Sequence, residues 1–204
     1  MTETSLAAAV EDPENAIEAV EQVDLVVTDA LADTRRSRVV RALGTLSEVA
    51  DQPQMRALTL GAAVVGLYRR DRRLVRAGLR GFAAHTLATW AKSAIKRQID
   101  RTRPDAALDD GYSMAPGHSR EHHLSSFPSG HTAGALAVAR AAARDYPETS
   151  AAGLVLSAAV ALIQVPRAKH YISDIVAGAA IGLVAEEVGS RLFDRAEAFL
   201  TSDS

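Results

Sequence analysis

The chain has no cysteine, so disulfides and thiolate metal sites are excluded and the redox compartment cannot be read from it. Aromatic residues make up only 4% of its 204 residues, and alanine dominates the apolar fraction. That composition favours closely packed helices over a β-sandwich core. Net charge is −2, which gives no reason to expect nucleic acid as a partner. No basic segment followed by an apolar one opens residues 1–13, so no secretory leader is expected. The apolar runs are 11 to 16 residues long before a charge or proline interrupts them, short of the roughly 20 that a membrane span needs.

What is present is an uneven distribution of charge. Residues 1–34 hold nine acidic side chains and no Lys or Arg, residues 35–103 hold sixteen basic against four acidic, and the remainder seven against twelve. A basic middle suits anionic lipid or phosphate, and equally a set of solvated helix faces. The length suits one domain with an appendage. Residues 1–50 form an amphipathic N-terminal segment, with helices expected over Ala16–Ala32 (Asp12 and Pro13 starting it) and Val39–Val49. Residues 51–200 form the main domain. Helices are expected there over Ala57–Tyr68, Leu74–Ile99, Ser129–Arg144, Ala151–Val165 and Asp174–Leu192, the last with Gly178, Gly182 and Gly189 as close-contact points. The Asp-, Gly-, His- and Ser-rich stretch 104–127 reads as a long loop, of a length that usually serves a function. The fold class is all-α, a bundle of five or six helices.

The stretch that organises the chain is Pro128-Ser129-Gly130-His131, followed by an Ala-rich run. Pro and Ser are helix-start residues, so Ser129, Gly130 and His131 belong at a helix N-terminus, where free amides and the macrodipole favour an anion. Alone, this is also the pattern of an ordinary capped helix. Two further clusters add to it. Lys96 and Arg103 are seven apart, about two helical turns, so both cations are expected on one face of a helix end. His170 and Asp174 are four apart, so a carboxylate can hold an imidazole nitrogen, and Arg167 precedes them. Cations and amides for oxygens, two histidines and an orienting carboxylate are the parts of a phosphoryl-transfer site. A third group, His118, His122 and His123, repeats no known ligand spacing, so no metal site is expected.

The order K-x6-R-P (Lys96 to Pro104), P-S-G-H (Pro128 to His131) and R…H-x3-D (Arg167, His170, Asp174) resembles the type 2 phosphatidic acid phosphatase (PAP2) superfamily, which includes bacterial acid phosphatases and vanadium haloperoxidases. One departure is visible: Gln164 stands where the family pattern has the third-motif arginine, and Arg167 is the nearest replacement. The resemblance implies a PAP2-like bundle and a metal-independent phosphatase without a cofactor, acting on a lipid or isoprenoid phosphate monoester or diphosphate. It implies His170 as nucleophile through a phosphohistidine, Asp174 as its orienting carboxylate and His131 as acid and then base. It also implies Lys96, Arg103, Ser129, the Gly130 amide and Arg167 as holders of the phosphate oxygens. A phosphate-lipid-binding bundle without turnover and a vanadium haloperoxidase are the alternatives. The resemblance further implies an integral membrane protein, in a bacterial inner membrane with its site facing outward. A soluble or peripheral cytosolic bundle is the alternative, and the sequence does not specify an oligomeric state.

Overall fold

The structure is a computed structural model that describes residues 13–119 and 121–202. Asp12, as the expected helix start, and most of the segment read as leaderless lie outside the described residues. Eight α-helices are present among the described residues: α1 Pro13–Leu31, α2 Arg38–Ser47, α3 Gln52–Arg69, α4 Arg72–Lys96, α5 Pro104–Asp110, α6 Gly130–Asp145, α7 Ser150–Leu162 and α8 Ile172–Ser202. The all-α expectation matches this, but the count is higher than five or six. The stretch expected as one long loop holds α5, and it contributes a strand, β2 Met114–Pro116, antiparallel to β1 Ile99–Arg101. Pro104 at the first helical position, with Arg103 as cap, explains α5: proline needs no amide partner there.

Local chemistry sets the helix starts. Ser37 accepts from the Val40 amide at 3.1 Å to open α2, and Asp71 accepts from the Leu74 amide at 3.1 Å to open α4. Ser129 caps α6, as its place in the sequence predicts. Helix α3 stops at Arg70, which turns left-handed with φ 57°.

Helices α4, α6 and α8 pack on one another, with α3 against α4 and α7 against α6. The contact faces carry small residues. Ala84 and Ala88 of α4, Ala133, Ala137 and Ala141 of α6, and Ala185 of α8 form the central cluster. A Cβ on Gly178 would lie 2.5 Å from the Ser129 carbonyl oxygen, so α8 approaches α6 as closely as it does only because that position is glycine.

The largest fully buried side chains are mostly polar, Arg101, His85, Gln164, Glu186, Asp24 and Asp174 among them. At the end of the bundle away from the motifs, Arg80 is held by Asp145 at 3.0 Å and Asp194 at 2.7 Å. Large aliphatic and aromatic side chains instead lie outside, including Val64, Leu67 and Tyr68 on α3, Trp90 on α4, Val155 and Leu156 on α7, and Val176 and Val184 on α8. No helix of the described residues is long and apolar enough to cross a membrane. Two physical reasons are plain. Helix α7 has 13 residues, about 20 Å at 1.5 Å each, and α4 and α8 carry charges along their length.

Candidate active site

Backbone hydrogen bonds tie the three sequence motifs together. The Ser126 amide donates to the Arg101 carbonyl at 3.1 Å, the Asp105 amide to Ala168 at 3.0 Å, and the Ser129 amide to Asp174 at 3.0 Å. The cavity at this end of the bundle has a volume of about 310 Å³. Lys92, Lys96, Arg103, His122, Gly130, His131, Gln164, Arg167, Lys169 and His170 line it, together with Glu48 and Asp51.

Six of the expected residues thus meet in one cavity: Lys96, Arg103, Gly130, His131, Arg167 and His170. The reason given for Lys96 and Arg103 needs correction. They do not share a helix face, because α4 ends at Lys96 and Arg103 comes after β1, as the cap of α5. The chain turns at 97–98, between α4 and β1, and Arg103 follows the strand. Both are braced by the same carbonyl: Lys96 Nζ and Arg103 Nη2 donate to the Ser125 oxygen, the latter at 3.3 Å. Arg103 Nε also donates to His122 O at 2.9 Å.

Ser129 is placed differently from the expectation. It is fully buried outside the cavity lining, where its Oγ accepts from Thr132 Oγ1 at 3.0 Å. Its work is to cap α6 and aim the Gly130 end at the cavity. Asp174 also stands behind the lining, where an orienting group belongs. Its Oδ2 lies 3.4 Å from His170 Nδ1. His170 and Asp174 do not share a helix as their spacing predicts, because α8 begins at Ile172 and His170 precedes it. The contact forms because Asp174 reaches back, accepting from the Tyr171 amide at 2.9 Å and from Ser126 Oγ.

Electrostatics follow from burial and charge. Burial lowers His170 to about 4, with Asp174 opposing and Arg103 and Lys96 assisting, so its ring is neutral near neutral pH. Burial would raise Asp174, but His170, Arg101 and Ser126 outweigh it and bring the carboxyl down to about 2. Burial lowers Lys96 to about 7, helped by Arg103 and Lys92. Burial lowers Lys92 as well, with Arg103 assisting and Asp51 opposing, and it lowers Arg103 against the pull of Asp105 and Asp174. His131 is lowered by burial against the pull of Asp51 and Glu48, with Arg167 and Arg103 adding to the fall.

Several site residues were not expected from sequence. Lys92 is four before Lys96 on α4, and that spacing was the available signal. Asp51 lies 2.9 Å and Glu48 3.7 Å from His131 Nε2, and Glu48 also pairs with Arg167. Those three donors lie within 4.8 Å of one another and are a possible cation set, but Glu48 is engaged by Arg167 and Asp51 by His131. The other histidines do not gather: His118 Nδ1 meets the Arg97 carbonyl at 2.6 Å, and His123 faces Glu121. Behind the site, Arg101 spans Asp174 and Asp24 at 2.7 and 2.8 Å.

The sequence profile of the PAP2 superfamily matches residues 78–196, from α4 into α8, more than half of the chain. The chain belongs to the PAP2 superfamily. A lipid A 1-phosphatase of Rhizobium johnstonii is 38% identical over 91 residues, which are 43% of this chain and 36% of that protein. The match therefore spans about a third of the length of that relative. The crystal structure of Aquifex aeolicus LpxE superposes with a TM-score of 0.62 at 17% identity, covering 82% of this chain and 94% of that one. A transmembrane PAP2-type phosphatidylglycerolphosphate phosphatase from Bacillus subtilis superposes with a TM-score of 0.61 at 19% identity, covering 94% and 93%. These two share the fold with this chain.

Proposed function

We propose that the chain is a metal-independent phosphatase that hydrolyses a lipid or isoprenoid phosphate monoester or diphosphate through a phosphohistidine on His170. The observation that carries this reading is the convergence of His170, backed by Asp174, with His131 and the cations Lys92, Lys96, Arg103 and Arg167 in one cavity. The names of the Rhizobium and Bacillus relatives, both phosphatases of lipids, support the substrate class.

The neutral His170 attacks phosphorus with the nitrogen that does not face Asp174. Its Nδ1 proton stays directed at the Asp174 carboxylate, which offsets the positive charge the ring acquires. The P–O bond to the lipid breaks as His131 gives its proton to the leaving oxygen. In the second half, His131 takes a proton from water, the water oxygen bonds to phosphorus, and the P–N bond breaks to free His170 and phosphate. The four cations and the Gly130 amide at the α6 N-terminus oppose the charge spread over the equatorial oxygens. A bound phosphate adds the negative charge that keeps His131 protonated.

The protein works at a membrane, with its exposed aliphatic faces on α3, α7 and α8 turned to lipid. Support comes from the packing pattern, small residues inside and Val, Leu and Tyr outside.

The test is phosphate release from a panel of lipid and isoprenoid phosphates by detergent-purified protein in EDTA. Turnover on at least one of them is expected, with an acid-labile, base-stable phosphoenzyme. Activity that disappears in EDTA and returns with Mg²⁺ or Zn²⁺ would overturn the phosphohistidine scheme.

A further inference from the structure

Helix α1 lies outside the region matched by the PAP2 profile, and its apolar side chains are at most partly buried, Val27 and Leu31 packing on Ala161, Val165 and Ile175. Ile17, Val20, Val23 and Val26 are all exposed. Its one buried residue among those described is an acid, Asp24, at 1% exposure. A buried carboxylate is unfavourable unless its oxygens are paired, and both of these are. Oδ1 accepts from the Ser173 amide at 3.0 Å, and Oδ2 accepts from Arg101 Nη2 at 2.8 Å and from the Ser173 hydroxyl. Arg101 in turn donates through Nη1 to Asp174 Oδ1 and to Ser173 Oγ, each at 2.7 Å. Its guanidinium lies over the Tyr171 ring, 4.3 Å from the centroid, and near the Tyr112 ring at 5.5 Å. Tyr112 supplies a second tie to α1, donating to Glu21 Oε1 at 2.8 Å.

We propose that Asp24 is a positioning residue of the phosphatase site, acting through Arg101 and Ser173 to fix the Asp174 carboxylate behind His170. Two effects combine. First, Asp24 caps the first turn of α8 from another helix, because the Ser173 amide has no partner inside α8 so close to its start. That turn carries Asp174, so Asp24 sets where the carboxylate stands. Second, Arg101 is shared between two carboxylates. With Asp24 in place the trio carries one net negative charge, which faces His170 and opposes the cations on its other sides, Lys96, Arg103 and the neighbouring Lys169. Without Asp24, Arg101 neutralises Asp174 alone, and the positive ring formed on attack has no counter-charge. The phosphate-holding cations are not touched, so the effect falls on the chemical step rather than on anion binding.

This inference rests on the phosphatase reading above, and the experiment separates the two. Full-length wild type, Asp24→Asn and Ser173→Ala are compared on the same lipid phosphate. The measurements are kcat, KM, the Ki of inorganic phosphate and the thermal unfolding transition. Asp24→Asn keeps the shape and removes the charge. It is expected to lower kcat by tenfold or more while KM and the phosphate Ki stay within threefold. Ser173→Ala, which removes only the bridging hydroxyl, should lower kcat about threefold in the same pattern. A folded Asp24→Asn with wild-type kcat overturns the proposal. So does a loss in which kcat and phosphate binding fall together with the folded fraction, since that is a purely structural role. If Asp24→Asn does not fold, Ser173→Ala decides, and an unchanged kcat there overturns it. A wild type without turnover on any ester defeats the phosphatase reading as well, whereas an active wild type with unaffected variants defeats this inference alone.

Discussion

Replacing Arg167 by alanine removes a cation from the cavity and strands a carboxylate beside it. Arg167 is held in place from α2 and the turn after it. Nη1 donates to Ser47 Oγ at 2.9 Å and to Gln164 Oε1 at 3.3 Å, and Nη2 pairs with Glu48. Helix α2 passes over its stem so closely that a Cβ on Gly44 would meet Nε at 2.7 Å. Removing one pre-aimed donor to a developing oxyanion costs about 2.7–4 kcal/mol. Because Glu48 already shares this charge, the lower end applies, about 2.7 kcal/mol or two orders of magnitude in kcat/KM. Burial would raise Glu48, but Arg167 outweighs it and holds the carboxyl below its usual range, so Glu48 is ionised and repels phosphate once Arg167 is gone. Arg167→Ala/Glu48→Gln should therefore recover about tenfold over Arg167→Ala, roughly 1.4 kcal/mol of coupling. Gln164→Ala behaves differently. Gln164 is fully buried and donates to Val160 O at 3.0 Å and Ser47 Oγ at 3.2 Å. Its loss should cost about 1–3 kcal/mol of stability and less than tenfold in rate. The assay is steady-state phosphate release with a melting curve for each variant. Arg167→Ala within threefold of wild type, or Gln164→Ala more damaging to kcat/KM than Arg167→Ala, would refute the assignment of Arg167 as the replacement cation.

Other outcomes follow from the same geometry. His170→Ala should abolish turnover, whereas His131→Ala should still form phosphoenzyme from an ester with a good leaving group, read by rapid-quench trapping. Lys96 is lowered by burial and neighbouring cations to about 7, so in the free protein it loses its charge as pH rises through that value. The kcat/KM profile should fall above about pH 7, and Lys96→Arg, which stays charged, should move that limb upward. An unchanged limb would remove Lys96 from the phosphate contacts. The protein should stay in the membrane pellet after a carbonate wash, and recovery in the supernatant would favour a peripheral or cytosolic protein with a more water-soluble substrate.

The sequence was most informative where function is carried by local chemistry. Ser129 as a cap and Gly130 and His131 at a helix start are short-range facts, legible from residue type and spacing, whereas Asp174 meets His170 by reaching back from the first turn of α8 and not by helical spacing. The strands β1 and β2 are not legible, because three-residue strands carry no periodicity, and so the sequence pattern leaves Arg103 on the helix that in fact ends at Lys96. Lys92 was readable from its four-residue spacing to Lys96. Asp24, Glu48 and Asp51 were not. Each is one acid among many in a polar segment, and only tertiary packing selects it. The membrane expectation met a related obstacle. No helix of the described residues is long and apolar enough to cross a membrane, and charges recur along α4 and α8.

The charge balance of the site explains why the acids of the N-terminal third belong to it. Lys92, Lys96, Arg103 and Arg167 surround one small cavity; burial lowers the first three, and neighbouring cations add to the fall of Lys92 and Lys96. Such a cluster destabilises the folded protein whenever no anion is bound. Carbonyl oxygens of Ser125 and His122 absorb part of this for Lys96 and Arg103 without adding a charge that would compete with phosphate. Glu48 does so for Arg167 and Asp51 for His131, from within the cavity lining. Asp174 and Asp24 do so from behind, through Arg101. Asp24 and Asp174 stand behind the cavity lining, whereas Glu48 and Asp51 are part of it, engaged by Arg167 and His131. Asp24, Glu48 and Asp51, all outside the matched region, thus contribute to the charge balance around this cavity.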